Sequence, residues 1–154
     1  MTSAVTPPAL YELIRRFEGC RLRAYRCPAG VWTCGFGSTG PDIGPDTVWT
    51  LQQATDRMRQ DAQLFAAGAL RLCPALADNR LAAIADFAYN LGLTRLKAST
   101  LRRRILARDW PGAAAELKKW TRGGGRVLPG LVARRAAEAA LLARAASAPF
   151  KRRV

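Results

Sequence analysis

Histidine does not occur anywhere in this 154-residue chain. Its absence removes the imidazole base on which Ser-His-Asp and Cys-His catalysts depend, together with every zinc site that uses a histidine ligand. Acid–base chemistry is left to carboxyls, thiols, lysine, tyrosine or water. Acidic residues are scarce as well, with 11 Asp and Glu against 25 Lys and Arg. Cysteine occurs four times, at Cys20, Cys27, Cys34 and Cys73, with no C-x-x-C pair of the kind a structural zinc site uses. No stretch approaches the roughly 20 apolar residues of a membrane span. The opening Met1-Thr2-Ser3-Ala4-Val5-Thr6-Pro7-Pro8 lacks the charged start and apolar core of a secretory signal. A soluble protein made in the cytoplasm is expected.

What is abundant is positive charge, and it is unevenly placed. The net charge is +14, of which residues 102–154 carry +11, from 14 basic and 3 acidic side chains. A surface of that sign attracts nucleic acid, acidic lipid or an acidic polymer, unless it is simply a solvated face.

The apolar pattern is mostly helical. Thr6 is placed to cap a helix with Pro7 in its first position. Leu10, Leu13, Ile14 and Phe17 follow at i, i+3, i+4 and i+7, and Gly19 fits the stop, so Glu18 falls in the last turn. Residues 20–38 read as a small antiparallel hairpin with Pro28-Ala29-Gly30 at its turn. Gly40 to Pro45 is a loop. Thr50-Leu51-Gln52-Gln53 is a capping box that opens a helix to about Leu70, with Leu51, Ala54, Met58, Ala62, Phe65 and Ala66 on or near one face. Further helices are expected over 78–91, from Ser99 to Leu106, after Asp109, and from Leu131 to about Ala146, where Pro149 precedes the tail Lys151-Arg152-Arg153. In the last helix Leu131, Val132, Leu141 and Leu142 are expected to pack inward, opposite Arg134, Arg135 and Arg144; contact with a membrane is the other use of such a face. The fold class is α+β. One domain, 1–154, is expected, with a hairpin lobe at about 20–48 and a helical lobe at about 71–147.

Glu18 is the acid placed to do chemistry. A helix C-terminus and apolar neighbours both favour a carboxyl that keeps its proton, as a general acid must. Arg15, Arg16 and Arg21 act in the opposite direction, and an ordinary solvated glutamate remains the alternative. Cys27 reads as a reactive thiol, an apolar filler or a disulfide partner, with Arg21, Arg23 and Arg26 near enough in sequence to favour its thiolate.

Glu18, eight residues, Cys27, five residues and Thr33 together resemble the Glu-x8-Asp/Cys-x5-Thr triad of phage-type lysozymes, the endolysins of glycoside hydrolase family 24. The segments Cys27-Pro28-Ala29-Gly30-Val31-Trp32-Thr33, Gly35-Phe36-Gly37, Phe87-Ala88-Tyr89-Asn90-Leu91-Gly92 and Gly130-Leu131-Val132-x-Arg134-Arg135-x-x-Glu138 fall in that family's order. The resemblance runs from about Tyr11 to Leu142. It implies a lysozyme-like fold and hydrolysis of the β-1,4 bond between N-acetylmuramic acid and N-acetylglucosamine. It makes Glu18 the general acid, Cys27 the base or nucleophile and Thr33 the residue that positions water. It also implies a possible regulatory disulfide between Cys20 and Cys27, as in relatives held inactive until an N-terminal anchor segment releases them. Cys34 and Cys73 are expected to be structural. Relatives keep a supporting histidine where this chain has Ser38.

Tyr25 and Phe36 are candidate sugar platforms, with the core as their alternative. Asn90 is a candidate partner for an acetamido or hydroxyl group, with helix capping as its alternative. No cofactor or metal is implied. The expected partners are peptidoglycan strands and, through the basic half, anionic envelope lipids; no specific nucleic acid and a monomer are expected. Made in the host cytoplasm, the protein would act in the periplasm after release by a holin or a missing anchor. Two rival readings are a basic nucleic-acid-binding domain and a relative that binds glycan without cutting it.

Overall fold

Helix α1 (Pro8–Glu18) carries proline in its first turn, where a missing N–H leaves no bond unmade. The residue before it is Pro7, not Thr6, and no side chain caps it. The cause is Pro8, whose ring drives the preceding residue into extended backbone, here φ −62° and ψ 133°. Leu10, Leu13 and Ile14 are buried, and the chain leaves the helix at Gly19. The computed structural model describes residues 5–144. Pro149 and the basic tail lie outside the described residues.

Strands β1 (Arg21–Arg26) and β2 (Trp32–Gly35) form the expected antiparallel hairpin, with Tyr25 opposite Thr33 and Arg26 opposite Trp32. Residues 47–49 add a third edge that periodicity did not announce. The Ala24 N–H donates to the Thr47 carbonyl at 2.9 Å and the Trp49 N–H to the Leu22 carbonyl at 2.8 Å. Ala24, Cys34 and Ile43 make a small core beneath this sheet, with Trp32 and Trp49 against it.

Helix α2 (Leu51–Leu72) opens with both arms of the capping box formed at Thr50 and Gln53. Ala54, Met58, Ala62 and Ala66 are its inward row. Leu51, expected on that row, is 60% exposed because it sits in the first turn, ahead of the packed part of the helix.

The remaining helices are α3 (Asp78–Leu91), α4 (Leu93–Ala98), α5 (Thr100–Leu106), α6 (Trp110–Leu117) and α7 (Pro129–Ala143), with a two-residue hairpin of β3 (Arg122–Gly123) and β4 (Arg126–Val127) before α7. Helix α4 was not anticipated: six residues are too few to show a helical period. Helix α3 is the central post, packed by α1, α2 and α7. Every residue from Leu81 to Ala88 is buried, Asp86 included. Trp120 meets the Phe87 ring edge-on at 5.3 Å. Helix α7 keeps part of its expected orientation, with Leu142 fully buried, Leu141 packed on the core and Arg144 exposed, and departs from it at Val132 and two arginines. Arg134, Arg135 and Glu138 are buried, whereas Val132 is 45% exposed. No helix among the described residues is long and apolar enough to cross a membrane.

Candidate active site

Glu18 is the last residue of α1, and two elements hold its carboxyl from opposite sides. On one side is Gly37, just past β2, with φ 77°. A Cβ at that position would lie 2.5 Å from Glu18 Oε2, so the acid occupies space that any other residue would fill. On the other side is Arg134 of α7. Its Nη1 donates to Glu18 Oε1 at 2.7 Å, while its Nε and Nη2 donate to the two oxygens of Asp86 at 2.8 Å each. Arg134 is 3% exposed. Burial works against its charge, but Asp86 and then Glu18 outweigh it and hold the guanidinium firmly protonated. The acid is thereby tied to three helices at once.

The arginines beside Glu18 in sequence go elsewhere. Arg16 stacks on Phe17 at 4.7 Å and Arg21 on Tyr25 at 4.4 Å. Arg26 likewise lies over Trp32, 5.0 Å from its ring centre.

Cys27 stands at the entrance to the hairpin turn. Its N–H donates to the Val31 carbonyl at 3.0 Å, and its carbonyl accepts from the Gly30 N–H at 2.8 Å. Hydrogen bonding from the Val31 backbone, opposed by partial burial and aided by Ala29 and the Thr33 hydroxyl, brings its thiol below the ordinary range. The lowering comes from turn geometry and not from Arg21, Arg23 or Arg26. Thr33 is 4% exposed and its Oγ1 donates to the Val31 carbonyl at 3.0 Å.

Tyr25 faces Thr33 across the strands and is half-buried. Burial raises its phenol, Arg21 opposes, and the charges of Glu18 and Cys27 raise it further. The phenol thus lies within electrostatic range of both proposed reactive groups. Phe36 is a correction: at 7% exposure it belongs to the main core and offers no face to a sugar. Its backbone still matters, because its carbonyl accepts from the Tyr89 hydroxyl at 2.6 Å. Asn90 presents its Oδ1 to Arg135 Nη2 at 2.8 Å, so that oxygen serves the interior.

Ser38 is 2% exposed and donates to Asp61 Oδ2 at 2.7 Å. Asp61 in turn accepts from Arg57 Nε at 3.1 Å, and Arg57 reaches Asp42 and the Thr39 carbonyl. This chain of bonds fastens the hairpin lobe to α2.

All four cysteines are free thiols, with Cys34 and Cys73 fully buried. Cys20 and Cys27 flank β1. A strand advances about 3.3 Å per residue, which puts them on the order of 20 Å apart, whereas a disulfide requires Cα atoms within about 7 Å. These two can bond only in a conformation in which β1 is not extended.

Asp86 and Arg134 are the site residues that sequence reading missed. Asp86 had a signal, as a lone acid inside the apolar run Leu81–Ala88. Arg134 had only its place in a motif.

Residues 15–138 match the phage lysozyme family. An endolysin of Acyrthosiphon pisum secondary endosymbiont phage 1 is 40% identical over 134 residues, covering 84% of this chain and 91% of its own. An endolysin of Bacillus phage PZA is 39% identical over 133 residues, and there the chain spans only 52% of the relative's length. Among solved structures, the muramidase domain of SpmX from Asticaccaulis excentricus superposes with a TM-score of 0.83 at 28% identity, covering 92% of this chain and 99% of that domain.

Proposed function

The chain belongs to the phage lysozyme family, and from that premise we propose that Glu18 and Cys27 are the two groups that cut the β-1,4 bond between N-acetylmuramic acid and N-acetylglucosamine. The enzyme is a peptidoglycan-hydrolysing glycosidase. Such enzymes protonate the leaving oxygen with one group and use a second to activate water or to attack the anomeric carbon. Glu18 delivers the proton. Cys27 takes the second place as thiolate, and Thr33 beside it positions the water.

The observation that carries this reading is how each of the two groups is held. The acid is wedged against the glycine just past the hairpin, and the Cys27 thiol at the hairpin turn lies below the ordinary range. Tyr25, within range of both, is the remaining candidate for contact with a sugar. The hairpin lobe and the helical lobe act as one catalytic domain that works as a monomer on the bacterial wall. Cys20 is the partner that would silence Cys27 in an oxidised, rearranged form.

The test is clearing of purified peptidoglycan by wild type, Glu18→Gln and Cys27→Ser, with and without reductant. Wild type clears the suspension, Glu18→Gln loses at least about 100-fold, in line with removal of a general acid, and Cys27→Ser is strongly reduced. Equal clearing by wild type and Glu18→Gln would overturn the assignment. Binding to nucleic acid with no clearing at all would favour the rival reading.

A further inference from the structure

Residues 93–108 hold six cations, Arg95, Lys97, Arg102, Arg103, Arg104 and Arg108, and no acid. They lie on or just after α4 and α5, and all but the half-buried Arg102 are exposed. The fold brings in a further cation from a distant part of the chain. Arg102 Nε donates to the Leu72 carbonyl at 3.0 Å, which sets the end of α2 against α5. Arg71, beside Leu72, shares the groove between α2 and α4 with Thr94 and Lys97. Among the described residues only Arg104 of this group has an acidic partner, Asp109 at 3.2 Å. Other arginines are occupied: Arg134 and Arg135 serve the interior, and Arg16, Arg21 and Arg26 lie over aromatic rings. On α4 and α5 like charges face water together, and an anionic surface relieves their repulsion.

Within the patch stands an exposed apolar residue. Leu101 and Ile105 turn inward from α5 and are fully buried, whereas Leu106 is 49% exposed. Arg103 stands one turn before it on the same side of the helix, and Arg108 follows two residues later. A leucine flanked by cations suits a bilayer interface, where phosphates lie above the acyl boundary. A soluble polyanion matches the cations and offers the leucine nothing. Five of the six cations in residues 93–108 are arginine, whose planar fork fits phosphate oxygens in pairs. Position agrees with this partner. Helix α5 packs on α4 and α6, and neither supplies a group to the candidate active site. A glycan strand must lie at Glu18, whereas a bilayer against α5 requires no contact there.

We propose that the exposed surface of α4 and α5, with Arg71 of α2, is a docking face for an anionic phospholipid bilayer, its cations at the phosphates and Leu106 entering the interface. Attachment of this kind is electrostatic with one shallow apolar anchor, so it is reversible and weakened by salt. It does not depend on the assignment of Glu18.

The test is co-sedimentation of the full chain with vesicles of phosphatidylcholine alone, and with vesicles that also carry about 30% phosphatidylglycerol, at about 0.1 M salt. Wild type sediments with the anionic vesicles and stays in solution with the neutral ones. Arg71→Gln, Lys97→Gln and Arg103→Gln together lower partition onto the anionic vesicles at least about 20-fold, from three charges lost near a charged surface. Arg23→Gln, Arg122→Gln and Arg126→Gln remove the same charge from exposed positions elsewhere. That second triple lowers partition by less than about threefold. Leu106→Gln keeps every charge, lowers partition at least about threefold, and leaves retention on purified peptidoglycan unchanged. An unaltered urea midpoint shows that each variant folds. If a triple variant does not fold, Lys97→Glu against Arg126→Glu replaces the pair under the same comparison. Equal losses from the two sets would mean that net charge alone drives binding, and would overturn the docking face. Absence of wild type from the anionic vesicles overturns it too. So does a patch variant that loses retention on peptidoglycan while its vesicle binding stands, since the face then belongs to a wall polymer. An unaffected Leu106→Gln overturns the entry of the leucine.

Discussion

Cys27 and Cys20 separate exposure from reactivity. Cys20 is the more exposed of the two, yet burial and then the neighbouring Cys34 raise its thiol. Cys27 is half-buried and lowered by the hairpin turn. The thiolate is the reactive form, so a lowered group reacts at lower pH. Alkylation followed by peptide mass mapping is expected to label Cys27 first, with the midpoint of its pH–rate curve below that of Cys20. If Cys20 reacts faster throughout, access governs and the turn does not activate Cys27. At this scale the sequence was legible in part. A family resemblance singles out Glu18, Cys27 and Thr33, and nearness in sequence ascribes the lowering of the Cys27 thiol to arginines. Arg21 and Arg26 stack on the Tyr25 and Trp32 rings instead.

Among elements, the hairpin is held to the helices by a few polar ties. Tyr89 of α3 donates to the Phe36 carbonyl, and Ser38 donates to Asp61 of α2. Tyr89→Phe keeps the ring and its edge contact with Phe65 at 5.5 Å, but leaves a carbonyl unmatched. A loss of about 1–3 kcal/mol is expected in urea unfolding, from the desolvated acceptor. A change below a few tenths would show that the tie contributes nothing. Helix lengths and caps were largely readable, including the box at Thr50, the helix over 78–91 and the Asp109 cap. The third edge at 47–49 was not, because it depends on a single bridge between distant residues. Nor was the inward turn of Arg134 and Arg135 on α7. Its alanines leave the apolar stripe weak, and ion pairing to Asp86 and Glu18 turns the arginines inward.

Over the whole molecule, the charge of +14 implies attraction to an anionic wall polymer. Such attraction is screened by salt, with a Debye length near 30 Å at about 0.01 M and near 3 Å at about 1 M. Retention on purified peptidoglycan is expected to fall several-fold across that range for Glu18→Gln, used so that cutting does not interfere. Retention independent of salt would show that binding does not depend on the net charge. The basic half is also less of a surface than its count suggests. Arg134 and Arg135 belong to the interior, where they are matched by carboxyls from three helices.

By itself the sequence determined the class of chemistry. The absence of histidine excluded an imidazole base, and the resemblance carried by Glu18, Cys27 and Thr33 pointed to the carboxyl and thiol proposed above. It also determined most of the helices, because periodicity and caps are local signals. Tertiary structure alone decided what surrounds the acid. The partner of Glu18 lies 116 residues away. The glycine beside it matters only because the hairpin folds back on the end of α1. How the buried Asp86, Arg134, Arg135 and Glu138 pair is likewise a property of the packed cluster. Charge balance in a low-dielectric interior is fixed by distance in space, and a linear pattern does not record it.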